Sequence, residues 1–230
     1  MLTYAIGDVH GCLDKLLRLL DLCDRHRGSR AARYIFLGDY IDRGHDSCGT
    51  VSALMNLQRD RPKEVVCLCG NHEQMMLSAA AFGGEESLLW QMQGGAQTLE
   101  SYGRKFAHEL PIEHHAWISS LPMWFDDGRR YFVHAGVNPS VALDQQAPDD
   151  LLWIREPFLS STNDYGRLIV HGHTPLESGV PELRSNRLNL DTAAVFGGPL
   201  SAALFDENQT NPILFLNDLG EEHVPAVPSP

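Results

Sequence analysis

Two carboxylates and a guanidinium fall within five residues in Gly38-Asp39-Tyr40-Ile41-Asp42-Arg43-Gly44, directly after the apolar run Arg33-Tyr34-Ile35-Phe36-Leu37. Charges this dense are costly to bury without partners. At the lip of a strand they point to a site that holds a metal and an anion together. The pattern recurs along the chain. Thr3–Ile6 runs into Gly7-Asp8-Val9-His10-Gly11, and Glu64–Cys69 into Gly70-Asn71-His72-Glu73. Arg130–Val133 runs into His134-Ala135-Gly136, and Arg167–Val170 into His171-Gly172-His173-Thr174. Open α/β sheets bind ligands beyond the carboxyl ends of their strands, so these ends are expected to converge.

Asp8, His10, Asp39, Asn71, His134 and His173 then form one mixed set of oxygen and nitrogen donors. Taken singly, each has a plainer reading. A lone histidine is more often structural than a ligand, and Asp or Asn beside glycine is ordinary turn chemistry. Taken together at strand ends, they read as metal ligands. No cysteine belongs to the set, which disfavours structural zinc. Carboxylate, imidazole and amide oxygen suit Mn²⁺, Fe or Zn²⁺ in a hydrolytic site.

The elements that must position these residues begin with a β-α-β-α-β order. Leu13, Leu16, Leu17, Leu20 and Cys23 recur at helical spacing over Cys12 to His26. A second helix is expected over Thr50 to Arg59, stopped by Pro62. Right-handed crossovers make the start of the sheet parallel. From Glu73 to Pro122 the chain turns mostly helical, broken at Gly83-Gly84 and Gly94-Gly95, and reads as an insertion over the site. Within it, Trp90 and Trp117, together with the nearby Trp124, read as core. Strands are expected at Tyr131–His134, Leu168–His171, Leu188–Asp191, Ser201–Phe205 and Ile213–Asn217. The reading is a single domain over 1–220, with a frayed, proline-bearing tail over 221–230.

Length and composition set the outer limits. A chain of 230 residues buries a sizeable core without disulfides. Five scattered cysteines do not form a disulfide framework and are expected as buried thiols. No apolar run approaches a membrane span and no secretory signal opens the chain, so no membrane partner and a cytoplasmic location are expected. A net charge of −12 argues against nucleic acid as the partner.

GDVHG at Gly7–Gly11, GDYIDRG at Gly38–Gly44 and GNHE at Gly70–Glu73 resemble the three signatures of the phosphoprotein phosphatase family. HAG at His134–Gly136 and GHT at Gly172–Thr174 match its two later metal motifs, so the resemblance runs from Gly7 to Thr174. Gly70 to Met76 and Trp153-Ile154-Arg155 resemble its small bacterial and phage branch most closely. The resemblance implies an α/β fold, a two-sheet β-sandwich flanked by helices (the calcineurin-like metallophosphoesterase fold). It implies two divalent ions, Mn²⁺ first among them. Asp8, His10 and Asp39 would hold one, and Asp39 would bridge to a second held by Asn71, His134 and His173. His173 is preferred to His171 because it directly precedes Thr174.

The ions would activate a water as nucleophile. Arg43 and Arg155 would fork onto the phosphoryl oxygens. His72, oriented by Asp42, would protonate the leaving group. Asp191 would stand behind the second metal. The substrate is expected to be a phosphorylated protein, serine/threonine or dual-specificity, or a small phosphoester. A dinucleoside polyphosphate such as diadenosine tetraphosphate is the alternative. A nuclease or cyclic-nucleotide phosphodiesterase and a non-catalytic binding module fit less well. Asp42-Arg43 and Glu73 favour the phosphatase branch over the first, and the complete ligand set disfavours the second.

Overall fold

The structure, a computed structural model, describes residues 1–225. Strands β1 (Leu2–Ile6), β2 (Ala32–Phe36) and β3 (Val65–Cys67) are parallel neighbours. Helices α1 (Leu13–Arg27) and α2 (Ser47–Asp60) form the crossovers between them. The late strands β9 (Ser201–Asp206), β10 (Leu214–Asn217) and β11 (Glu222–His223) extend the other edge antiparallel, giving the order β11-β10-β9-β1-β2-β3. The second sheet holds β4 (Trp124–Asp126), β5 (Arg130–Val133), β6 (Leu168–His171), β7 (Glu182–Leu183) and β8 (Arg187–Asn189), ordered β4-β5-β6-β8-β7. Its three central strands, β5, β6 and β8, are parallel.

Strand periodicity decides which residues hold the sheets together. Ala5 and Ile35 face the second sheet, where they pack with Phe132, Val170 and Leu188. Their neighbours Tyr4, Ile6, Tyr34 and Phe36 face the opposite way, against Leu16, Leu19 and Leu54 of α1 and α2. Both faces of β1 and β2 are therefore covered, which is why those strands read as unbroken apolar runs. The helices have plain local causes. Asp46 caps α2, its Oδ1 accepting the Gly49 N–H at 2.8 Å. Such a cap contributes about 0.5–2 kcal/mol.

The insertion holds α3 (Asn71–Phe82), α4 (Gly84–Trp90), α5 (Ala96–Tyr102) and α6 (Ile112–Ser119), whose Met76, Trp90, Leu99 and Ile118 share one apolar cluster with Ile41 and with Val51 of α2. The helical run does break at Gly94-Gly95: Gly94 adopts the non-helical φ 115°, and the chain kinks there between α4 and α5. Glycine without a Cβ tolerates that angle. A final helix, α7 (Pro148–Trp153), starts on a proline, which suits the first helical turn.

Some expectations change. Trp124 is not core: it sits on the short edge strand β4, 45% exposed and stacked on Tyr131 at 5.2 Å. The expected tail from Glu221 starts inside the sheet, because Glu222 and His223 pair with Leu216 and Phe215. The prolines that suggested fraying begin only at Pro225, and residues 226–230 lie outside the described residues. Strands β4, β7 and β11 and helix α7 escape sequence reading because runs of two to six residues carry no readable period.

Candidate active site

The strand ends do converge, and the backbone there is unusual. Among the described residues, six other than glycine have positive φ: His10 (45°), Asp39 (54°), Asp42 (74°), Arg43 (66°), His173 (65°) and Ala193 (60°). Five of them are residues singled out for chemistry. Such angles are unfavourable for L-residues and persist where surrounding structure enforces them. Glycines allow the turns to approach this closely. A Cβ on Gly70 would collide with Asp39, and one on Gly172 with the Asp8 carboxylate.

The metal question can be put to the hydrogen bonds. A backbone carbonyl only accepts, so His10 Nδ1 donates to Ile41 O at 2.8 Å and His134 Nδ1 donates to Leu37 O at 2.9 Å. On neutral rings this leaves both Nε2 atoms as lone pairs. His134 Nε2 then faces Asn71 Oδ1 at 2.8 Å and Asp39 Oδ1 at 3.4 Å. His10 Nε2 faces Asp39 Oδ2 at 3.3 Å. His173 Nδ1 lies 2.9 Å from the same Asn71 oxygen. At His134 Nε2 an acceptor thus faces two acceptors, an arrangement that a cation resolves. Asp8 Oδ1 and His173 Nε2 are also buried without a partner.

Among the described residues, two groups of side chains have ligand atoms within 4.8 Å of one another: His10, Asp39 and His72, and Asp39, His134 and His173. Asp39 is common to both, as a bridging carboxylate must be. Asp8 stands slightly apart. Its Oδ2 accepts the His173 N–H at 3.0 Å, and His72 takes its place in the first group. His171 faces away, with its ring 5.0 Å from that of Phe158.

The charges make the same demand. Burial lowers the His10 and His173 pKa values to about 3, so both rings are neutral at neutral pH. Burial, with the charges of Asp191 and Asp39, raises Asp8 well above the usual carboxylate range. Burial and the Asp39 charge push Asp191 up to about 6, against a hydrogen bond from Ala193 N–H. Burial raises Asp39 too, but the histidines around it would pull it lower on balance. Of those rings, His10 and His173 are neutral and do not carry the needed charge. Three buried carboxylates therefore share one point with too few cations, and a divalent metal fits that donor set.

Arg43 supplies part of the missing charge. Its guanidinium donates to His10 Nε2 and to His72 Nε2, each at 2.7 Å. His72 Nδ1 in turn donates to Asp42 Oδ2 at 2.7 Å. Burial alone would lower the His72 pKa; the charges of Asp39 and Asp42 and the Asp42 hydrogen bond outweigh it and raise the pKa. Arg43, His72 and Arg155 line a cleft of about 420 Å³, with Leu89, Trp153 and Phe196 on its walls. Phe196 is 65% exposed, and Arg43 stands 5.6 Å over its ring.

The sequence profile of calcineurin-like phosphoesterases matches residues 1–205. The chain belongs to the calcineurin-like phosphoesterase family. It is 31% identical to serine/threonine-protein phosphatase 1 of Salmonella typhimurium, over 87% of this chain and 90% of that protein. It is 25% identical to the asymmetrical bis(5'-nucleosyl)-tetraphosphatase PrpE of Anoxybacillus flavithermus, over 91% and 93%. Its fold is similar to the crystal structure of a cold-active protein-tyrosine phosphatase from Shewanella sp., at a TM-score of 0.67 and 18% identity, covering 97% of this chain and 80% of that one. The resemblance to the phosphoprotein phosphatases holds, and this calcineurin-like phosphoesterase is a phosphoester hydrolase.

Three buried residues of this calcineurin-like phosphoesterase touch the site without being assigned by the sequence. Glu73 accepts backbone N–H groups from two motif turns, while Trp90 and Thr98 hydrogen-bond Asp42. Glu73 had a signal, as the last residue of its motif. The other two had none, because they lie 48 and 56 residues beyond Asp42.

Proposed function

We propose that the chain is a metal-dependent phosphomonoesterase that acts on phosphorylated protein, with phosphoserine and phosphothreonine ahead of phosphotyrosine. The observation that carries this reading is the charge of the cleft. Its lining holds two side-chain cations, Arg43 and Arg155, and no lysine. That suits one phosphoryl group. A tetraphosphate carries several more negative charges and would need more cations along its length.

In this reading Asp8, His10 and Asp39 hold one divalent ion, and Asp39, Asn71, His134 and His173 hold another, with Mn²⁺ the first candidate. Bound there, the ions supply an acidified water and neutralise phosphoryl charge. The chain's own groups do the rest. Arg43 and Arg155 grip the phosphoryl oxygens. His72 gives a proton to the leaving oxygen from Nε2, the atom Arg43 now donates to and must release, while Asp42 holds its Nδ1–H. No serine or cysteine stands as nucleophile in the cleft lining, so the reading involves no phosphoenzyme.

A second reading, hydrolysis of dinucleoside polyphosphates, is favoured by the exposed face of Phe196. A nucleobase would stack there, and one relative is named for that activity. Rates on a phosphoserine peptide and on diadenosine tetraphosphate, measured on the same Mn²⁺-loaded sample, separate the two. A kcat/KM at least about tenfold higher on the peptide is expected, a margin of roughly 1.4 kcal/mol in transition-state binding. The reverse preference would replace the first reading with the second.

A further inference from the structure

The helical insertion lies against the Asp42-Arg43 turn, and three of its residues grip that turn. Trp90 Nε1 donates to Asp42 Oδ2 at 2.8 Å. Thr98 Oγ1 accepts the Asp42 backbone N–H at 2.8 Å and donates to Asp42 Oδ1 at 2.6 Å. Gly94 O accepts the Arg43 backbone N–H at 3.0 Å. Both carboxylate oxygens of Asp42 are thus pinned, and Oδ2 is the atom that His72 Nδ1 approaches at 2.7 Å. Asp42, Thr98 and Trp90 are fully buried, and His72 nearly so.

The bend in the insertion makes this possible. The kink at Gly94 comes just after Trp90, and a Cβ on Gly95 would strike the indole ring. The chain therefore folds back over Trp90 and brings Thr98 to the other carboxylate oxygen. A buried indole N–H needs some acceptor, and a carbonyl would serve. Here the indole and a buried hydroxyl from separate helices meet on the one carboxylate that orients His72.

We propose that Trp90 and Thr98 are positioning residues for His72, so that the insertion contributes to proton delivery by fixing the Asp42 carboxylate. This rests on the reading of His72 as the acid for the leaving group. Two pinned oxygens leave the Asp42 carboxylate one orientation, and that sets the imidazole plane and the direction of Nε2. Without them the carboxylate rotates and His72 turns with it. Substrate binding is expected to change little, because Arg155 meets the phosphoryl group apart from this network and Arg43 is held by His10 as well as by His72.

The test compares Trp90→Phe, Thr98→Val and Thr98→Ser with His72→Asn in the Mn²⁺-loaded enzyme, on a phosphoserine peptide and on p-nitrophenyl phosphate. Trp90→Phe and Thr98→Val are each expected to lower kcat on the peptide by about 5- to 30-fold, with KM within about twofold, as for loss of one oriented hydrogen bond. The aryl ester, whose leaving group needs little proton help, should change by no more than about threefold. Thr98→Ser keeps the hydroxyl and should recover most of the peptide rate. In a His72→Asn background, Trp90→Phe should add less than about twofold, because the two act through one proton.

Equal losses on both esters, or a full further loss in the His72→Asn background, would reduce Trp90 and Thr98 to supports of the fold. So would a Thr98→Ser variant that fails to recover. If His72→Asn itself hurts both esters equally, the acid assignment fails and the positioning role falls with it. If His72→Asn discriminates between the esters and Trp90→Phe does not, only the positioning role falls.

Discussion

The Glu73 carboxylate accepts the backbone N–H of Asp39 at 2.8 Å. The same carboxylate accepts the N–H of Gly70 at 2.9 Å and that of Tyr40 at 2.8 Å. One buried side chain at the start of α3 thus joins the turn after β2 to the turn after β3. These turns carry Asp39 and Asn71, the residues expected to share a metal. Burial and the Asp39 charge push the Glu73 pKa up to about 8, while the Tyr40 and Asp39 N–H bonds pull it down.

Glu73→Gln turns one acceptor oxygen into a donor that faces backbone N–H groups. At least one buried N–H then loses its partner, at a cost of about 1–3 kcal/mol. Thermal unfolding should register a drop of about 2–10 °C in a domain of this size. Metal content should fall as well, because the two turns lose their common anchor. An unchanged Tm with full metal occupancy would show that Glu73 is dispensable to the site.

Asp39 belongs to both candidate metal groups, so Asp39→Asn should affect both sites at once. The amide keeps the shape and loses the negative charge. Elemental analysis is expected to fall from two divalent ions per chain to one or fewer, with turnover lower by about 100-fold or more. Chelation of the native enzyme should abolish activity, and Mn²⁺ should restore it. Two ions retained with normal turnover would show that Asp39 does not bridge.

The sequence-readable part of the site was the part built from strand ends. Asp8, His10, Asp39, Asn71, His134 and His173 each directly follow an apolar run or lie within a few residues of its end, and the sheet topology brings those ends together. The parallel β1-β2-β3 start was legible for the same reason, since period and turn chemistry are local. What depends on tertiary contact was not. The break at Gly94-Gly95 is local and reads in sequence, because two adjacent glycines ordinarily end a helix, but what the kink packs against does not: Arg43 donates its backbone N–H to Gly94 O, and Gly95 lies against the Trp90 ring. The partners Trp90 and Thr98 and the brace at Glu73 are set by which elements pack, a property no local window contains.

Away from the site, Asp24 on α1 offers a pH test. Arg61 donates to both its oxygens at 2.9 Å, and Tyr34 donates to Oδ1 at 2.7 Å. Burial would raise its pKa, but these bonds hold it below the ordinary 3.8. A depressed carboxylate contributes stability above its unfolded pKa and loses it as pH falls through the folded one. Asp24→Asn should therefore cost about 1–2 kcal/mol at pH 7, a modest figure because the group is partly exposed. The gap in Tm between the two proteins should close as pH falls below about 4. A constant gap across that range would rule out Asp24 ionisation as its cause.

The two arginines of the cleft differ in how they are held, and their substitution should differ in kind. Arg43 donates to His10 and His72, at 2.7 Å each, and is part of the packed site. Arg155 is exposed on the cleft wall, two residues beyond α7. Arg155→Ala should leave Tm within about 1 °C, as surface substitutions usually do. Its cost should appear in KM, which rises by about 10-fold or more on phosphoserine peptide and on p-nitrophenyl phosphate alike, since both present the same phosphoryl group. Arg43→Ala should lower kcat as well, because it removes a cation from among buried carboxylates and frees the two imidazoles it now fixes. Steady-state kinetics on both esters, with Tm measured beside them, checks the pair. A large fall in kcat with unchanged KM for Arg155→Ala would move it from phosphate binding into the chemical step.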